Sequence, residues 1–199
     1  ATSASTLRSS RMPAFFSVIS ATIALEDQNF YNHYGIEIRG ILRAALKDIL
    51  HRGAAQGGST ITQQLVKRSI LTSEKTLTRK IKEVILAIEL EQKLEKDDIL
   101  GMYLNEIPYG SNAYGAEAAA QSYFEKHASE LTLDESALLA SLPQAPSYYS
   151  PYGNNIIRLK LRQEYALSQM AKLGYISSEQ AEEAKRVDVL AKIKPSKEK

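Results

Sequence analysis

Two acids, Glu26 and Asp27, close an otherwise apolar run, Phe15-Phe16-Ser17-Val18-Ile19-Ser20-Ala21-Thr22-Ile23-Ala24-Leu25. Read as a helix, the run sets Phe15, Ile19, Thr22 and Glu26 on one face. That points a carboxylate along a surface that otherwise wants burial, which makes Glu26 a candidate for proton transfer. Both acids also oppose the helix macrodipole at its C-terminal end, at ~0.3–1 kcal/mol each. The plainer alternative is a helix that ends in a solvated acidic turn.

Two further groups could do chemistry. Gly57-Gly58-Ser59-Thr60-Ile61-Thr62-Gln63-Gln64-Leu65-Val66-Lys67 sets two glycines before five hydroxyl or amide side chains and a lysine. A helix beginning near Ser59 would offer its free amides and hydroxyls to an anion, or would simply be an ordinary capped start. Downstream, Lys75, Arg79 and Lys80 precede Glu83. Such cations can grip phosphate oxygens, and the carboxylate can orient them or hold a divalent metal. The alternative is an i,i+4 salt bridge between Arg79 and Glu83, worth a few tenths of a kcal/mol. His33 stands alone in a loop, reads as a packing or hydrogen-bonding residue, and no HExxH-type spacing supports zinc.

Helices must carry these groups. The pattern predicts helices over 13–27, 36–50, 78–96, 97–104, 115–126, 132–142, 155–173 and 178–191. Pro13 suits a first turn, Thr132–Glu135 and Ser177–Gln180 have capping-box form, and Gly174 suits a helix stop. Within 78–96, Glu83 falls between Leu90 and Leu94 in helical angle, so it is a second acid on an apolar face. Turn residues gather at 53–59, 108–115 and 143–155, and alternating strand patterns are scarce. The expected class is mainly α.

The 199 residues, 44% hydrophobic and 24% charged, suit one domain with at most a small satellite lobe. With no cysteine, disulfides, thiol catalysis and cysteine metal sites are excluded. A net charge of +2 is too mild for a nucleic-acid binder, although Lys67, Arg68, Lys75, Arg79, Lys80 and Lys82 crowd one region. That cluster is either a solvated face or a site for a phosphate-bearing ligand. No run approaches the ~18 apolar residues of a membrane span. The chain opens at Ala1 with a Ser/Thr-rich stretch and reads as an excised domain. Residues 1–12 are expected to be flexible, 13–192 to form the domain, and 193–199 to form a polar tail.

Glu26-Asp27-Gln28-Asn29-Phe30-Tyr31-Asn32-His33-Tyr34-Gly35 resembles the first signature of the family 51 glycosyltransferases, the peptidoglycan polymerases that occur alone or in class A penicillin-binding proteins. GGSTITQQ at 57–64 matches the second signature, and Arg79-Lys80-Ile81-Lys82-Glu83 resembles the third. Ile99-Leu100-Gly101-Met102-Tyr103-Leu104-Asn105 resembles the fourth, and Arg162 with Leu167 is similar to the fifth. The order and spacing agree over about residues 15–180. Departures are Ala166 for a usual valine, Lys75 for a frequent arginine and Glu37 for a common aspartate; lysine at 75 keeps the charge but loses the bidentate fork.

The resemblance implies a lysozyme-like α-helical lobe with a small membrane-associating lobe, here at about 36–56. The basic amphipathic stretch 36–55 suits an anionic bilayer surface, or else packs as an ordinary helix on the core. It further implies polymerisation of lipid II into β-1,4-linked glycan, with inversion and release of undecaprenyl pyrophosphate. Glu26 is then the general base, its pKa raised by apolar surroundings and by Asp27. Glu83 is the second glutamate, orienting the leaving group or ligating Mg²⁺ or Mn²⁺. Asp27, Ser59, Thr60, Thr62, Gln63, Gln64, Lys67, Lys75, Arg79 and Lys80 are the expected substrate-binding set. The implied setting is the outer face of the bacterial cytoplasmic membrane, in a membrane-anchored protein, with a transpeptidase domain in cis or in trans as partner. The rival readings are a lysozyme-like muramidase or lytic transglycosylase, which needs no phosphate-binding cations, and a non-enzymatic membrane-surface module, which leaves Glu26 and Glu83 without purpose.

Overall fold

The computed structural model describes residues 14–37, 58–69 and 76–196. The expected flexible N-terminus, nearly all of the 36–56 lobe, and Lys75 lie outside the described residues. Helices in chain order are α1 (Ala14–Glu26), α2 (Ile61–Ser69), α3 (Leu77–Lys93), α4 (Lys96–Glu106), α5 (Ala116–Phe124), α6 (Leu133–Ala140), α7 (Ile156–Lys172) and α8 (Ser178–Arg186). The class is mainly α, as expected.

α1 is apolar nearly all round, and such a helix belongs in the interior. Val18, Ala21 and Ala24 are fully buried, while Phe15 at its start is 41% exposed. Its buried hydroxyls bond back along the helix, Ser20 Oγ to the Phe16 carbonyl (2.7 Å) and Thr22 Oγ1 to the Val18 carbonyl (2.8 Å), so neither is left unsatisfied. α6 and α7 pack closely on α1 because the contact is made of small side chains, Ala21, Ala24, Ala137, Ala140 and Ala166. Ala166, where the family usually has valine, is fully buried in this seam.

The capping boxes at Thr132–Glu135 and Ser177–Gln180 form as read and start α6 and α8. Four expectations change. The helix predicted over 78–96 ends at Lys93, and the one predicted over 97–104 begins at Lys96 and runs to Glu106, with Asp97 and Asp98 favourably placed in its first turn. The turn at 108–115 contains a short hairpin, β1 (Pro108–Gly110) and β2 (Ala113–Tyr114), whose two-residue loop has Ser111 and Asn112 at positive φ, as right-twisted hairpins require. The 178–191 helix stops at Arg186, followed by a single 3₁₀ turn at Leu190–Lys192. The tail is anchored at its start: Lys194 donates its backbone N–H to the Tyr123 carbonyl (2.9 Å), and its own carbonyl accepts from Tyr152 Oη (2.8 Å).

The loop after α1 seats on α3 through Gly35. Its φ is +82°, and a Cβ there would lie 2.7 Å from the Ala87 carbonyl oxygen. Gly35→Ala is expected to lower stability by about 1–3 kcal/mol from the left-handed backbone alone, with the overlap adding to it. Urea unfolding checks this; a loss below about 0.5 kcal/mol, a surface-like value, contradicts the seating.

Candidate active site

Glu26 ends α1 and Asp27 follows it, and the two reach different partners. Asp27 turns inward and is 5% exposed. Its Oδ2 accepts the backbone N–H of Ile61 (3.0 Å), the first residue of α2, and His33 Nε2 lies 2.9 Å and 3.0 Å from its two oxygens. The acid that opposes the dipole of α1 therefore sits at the favourable N-terminal end of α2. Asp27 braces the scaffold, and His33 is a hydrogen-bonding residue, as its isolation in the sequence suggested.

The same contacts revise the reading of the 57–64 run. Thr60 and Gln63 form a capping box: Gln63 N–H donates to Thr60 Oγ1 (3.1 Å), and Thr60 N–H donates to Gln63 Oε1 (2.9 Å). With Ile61 N–H taken by Asp27, the amides of Thr60, Ile61 and Gln63 are already used. Thr60 Oγ1 also donates to the Gly35 carbonyl (2.6 Å). Thr62 donates to Glu91, which Lys96 approaches at 2.7 Å. Thr60, Thr62 and Gln63 thus support the wall, whereas Gln64 reaches Glu26 and Ser59 reaches Lys80, the partner of Glu83.

Glu26 is not in apolar surroundings, contrary to the sequence reading. Its Oε1 accepts from Arg162 Nη2 and its Oε2 from Gln64 Nε2, each at 3.0 Å. Carboxylate and guanidinium are largely buried, at 9% and 13% side-chain exposure. Arg162 is positioned by donating Nε–H to the Ser141 carbonyl at the end of α6 (3.1 Å) and by lying over the Tyr149 ring (5.5 Å). Gln64 is fixed in turn by Tyr103 Oη, which donates to Gln64 Oε1 (3.2 Å). Burial first, and then the charge of Glu26, pushes the Tyr103 and Tyr109 phenols above the ordinary tyrosine range.

The second pole is cationic. Glu83, 2% exposed, accepts from Lys80 Nζ, which also donates to Ser59 Oγ (3.0 Å). Gln64 Nε2 is 3.4 Å from the Ser59 carbonyl, so a chain of polar contacts runs from Glu26 through Gln64, Ser59 and Lys80 to Glu83. Lys67 joins this pole. Partial burial lowers its pKa most, Glu83 opposes that, and Arg79, Arg68 and Lys80 push it further down. Lys67 thus has three other positive charges near it, an arrangement suited to receiving an anion.

The fit of a divalent metal is poor. Glu83 offers one carboxylate, already held by Lys80, and no group of three or more metal-ligating side chains gathers among the described residues. Of the expected site residues, Glu26, Ser59 and Gln64 come together at one pole, and Lys67, Arg79, Lys80 and Glu83 at the other. The sequence reading does not find the parts played by Arg162 and Tyr103; their only sequence signal is membership of the fifth and fourth signatures.

The sequence model of the family described as Transglycosylase matches residues 2–171. Penicillin-binding protein 1A of Aquifex aeolicus is 52% identical over 167 residues, covering 84% of this chain and 23% of that protein. Penicillin-binding protein 1A of Rickettsia felis is 48% identical over 171 residues, covering 84% of the chain and 22% of that protein. A crystal structure of penicillin-binding protein 1A from Haemophilus influenzae aligns at 32% identity with a TM-score of 0.44, over 64% of this chain and 16% of that one. The chain thus spans under a quarter of the length of the curated relatives it matches.

Proposed function

Because the chain belongs to the transglycosylase family, the family 51 glycosyltransferases, we propose that it polymerises lipid II into β-1,4-linked glycan, with inversion and release of undecaprenyl pyrophosphate. The observation that carries this reading is the pairing of one seated carboxylate, Glu26, with a separate cationic pole, linked through Gln64 and Ser59.

The chemistry follows from the two poles. An acceptor sugar hydroxyl donates to a remaining lone pair of Glu26 and attacks the anomeric carbon of the donor. As the new C–O bond forms, the bond to the pyrophosphate oxygen breaks and its electron pair leaves with the pyrophosphate, while Glu26 takes the hydroxyl proton. The leaving group is a weak base and needs charge neutralisation rather than a proton. Lys67, Arg79 and Lys80 supply that charge, with Glu83 holding Lys80 in place; Lys75, outside the described residues, is assigned to the same pole. Glu83, already held by Lys80, is a poor ligand for the Mg²⁺ or Mn²⁺ that the resemblance implies, so the charge neutralisation is assigned to these cations.

Cleavage of a neutral glycosidic bond, as in a muramidase, needs a proton donor. Glu26 accepts two hydrogen bonds, and the cations would have no task. The proposed setting is the outer face of the bacterial cytoplasmic membrane, in a membrane-anchored protein paired with a transpeptidase domain. No helix among the described residues is long and apolar enough to cross a membrane. The test is incubation of the chain with purified lipid II and, separately, with sacculi: polymer from lipid II supports the reading, and shortened glycan from sacculi supports its rival.

Lys67 gives the reading a pH signature. Its lowered pKa means that it loses its charge at lower pH than an ordinary lysine, near ~10.4. Pyrophosphate affinity therefore falls on the alkaline side, and kcat/KM falls with it. Lys67→Arg keeps the charge and is expected to move this alkaline limb to higher pH. A pH–rate profile identical to that of the parent removes Lys67 from the anion site.

A further inference from the structure

We propose that Tyr103 is a positioning residue for the base, fixing through Gln64 the donor that Glu26 receives. The proposal rests on the reading of Glu26 as general base. A glutamine side chain has a donor end and an acceptor end of nearly equal size, and a half-turn exchanges them. Only one orientation serves Glu26: turned the other way, Gln64 would set a carbonyl oxygen against a carboxylate. The side-chain packing of Gln64 does not choose between them, so its hydrogen-bond partners must.

Two partners make that choice. Tyr103 Oη lies 3.2 Å from Gln64 Oε1, and the Ser59 carbonyl lies 3.4 Å from Gln64 Nε2. The carbonyl can only accept, which favours nitrogen on its side. The phenol, fully buried on α4, meets the other end as a donor. Burial and the charge of Glu26 keep it protonated at any working pH, so it remains a donor throughout. With both partners present, Gln64 Nε2 is held 3.0 Å from Glu26 Oε2, and the carboxylate is fixed between Gln64 and Arg162. Tyr103 touches no reacting atom in this scheme; it acts one residue removed.

The test is a cycle of Tyr103→Phe and Gln64→Leu, read by lipid II polymerisation. Phenylalanine keeps the ring and removes only the hydroxyl. Tyr103→Phe is expected to lower kcat about tenfold, the equivalent of one lost orienting hydrogen bond, with KM within about twofold. In the Gln64→Leu background the same change is expected to do nothing further, since the residue through which it acts is gone. Additive losses, or an unchanged kcat in Tyr103→Phe, overturn the proposal, because a merely structural tyrosine would act equally in both backgrounds. A second readout needs no activity. The Gln64 side-chain amide protons, followed by NMR in the parent chain, are expected to be protected from exchange and to lose that protection in Tyr103→Phe. Unprotected protons in the parent overturn the proposal even if Tyr103→Phe fails to fold. Protected protons in a chain that makes no polymer would instead overturn the reading of Glu26 as base.

Discussion

Glu26→Gln is expected to lower the rate of polymerisation by at least about 10²-fold, the contribution of a positioned general base, while the chain stays folded. Glutamine is nearly isosteric and keeps an oxygen for Arg162 Nη2, which now lies 3.0 Å from Glu26 Oε1. Its new NH₂ group would face Gln64 Nε2, donor against donor, where the parent has a hydrogen bond of 3.0 Å. One hydrogen bond is lost, and the Arg162 guanidinium, 13% exposed, keeps an acceptor but loses its counter-charge, at a combined cost of about 1–3 kcal/mol. The variant should therefore separate chemistry from folding: a folded chain with a lowered unfolding midpoint, normal retention of lipid II, and almost no glycan. Activity within about tenfold of the parent, too small a loss for a general base, would remove Glu26 from that role.

Arg162→Ala is expected to act on stability and rate together. It strips the partner from a carboxylate that is 9% exposed and leaves the Ser141 carbonyl without its donor. Breaking a buried pair by removing one partner costs about 3–5 kcal/mol; the residual exposure of this pair sets the expectation near the lower figure. Losing the orientation of the base should also reduce kcat by about tenfold or more. The diagnostic lies in the double variant. Glu26→Gln with Arg162→Ala carries no stranded charge, so it should be more stable than Arg162→Ala alone, yet equally inactive as a polymerase. Strict additivity of the two stability losses would show that the pair is not coupled as described.

The sequence made the acids visible and hid their partners. Glu26 and Glu83 were legible because each puts a charge on an apolar helical face, a local property. Arg162 lies 136 positions away from Glu26, and helical periodicity places it on α7 without saying which helix end it meets. Asp27 looked like a second acid beside the first; only the docking of α2 against the end of α1 turns it toward the Ile61 amide and His33. The 57–64 run left an anion site and an ordinary capped start open; the capping box of Thr60 and Gln63 favours the capped start by using those two amides. The boundary between α3 and α4 was legible, with Asp97 and Asp98 as first-turn acids of the second helix, and the structure moves the predicted ends by only a few residues. The hairpin at 108–114 was hidden because a two-residue loop of Ser111 and Asn112 at positive φ lacks the glycine that usually marks it.

In the proposed reaction Glu26 activates a hydroxyl while the cationic pole receives a pyrophosphate. The measurement that meets it most directly counts polyprenyl pyrophosphate released against β-1,4 bonds formed when the chain acts on lipid II. One pyrophosphate is expected for each new bond, with both lost together in Glu26→Gln. New reducing ends appearing in glycan without release of pyrophosphate would contradict it.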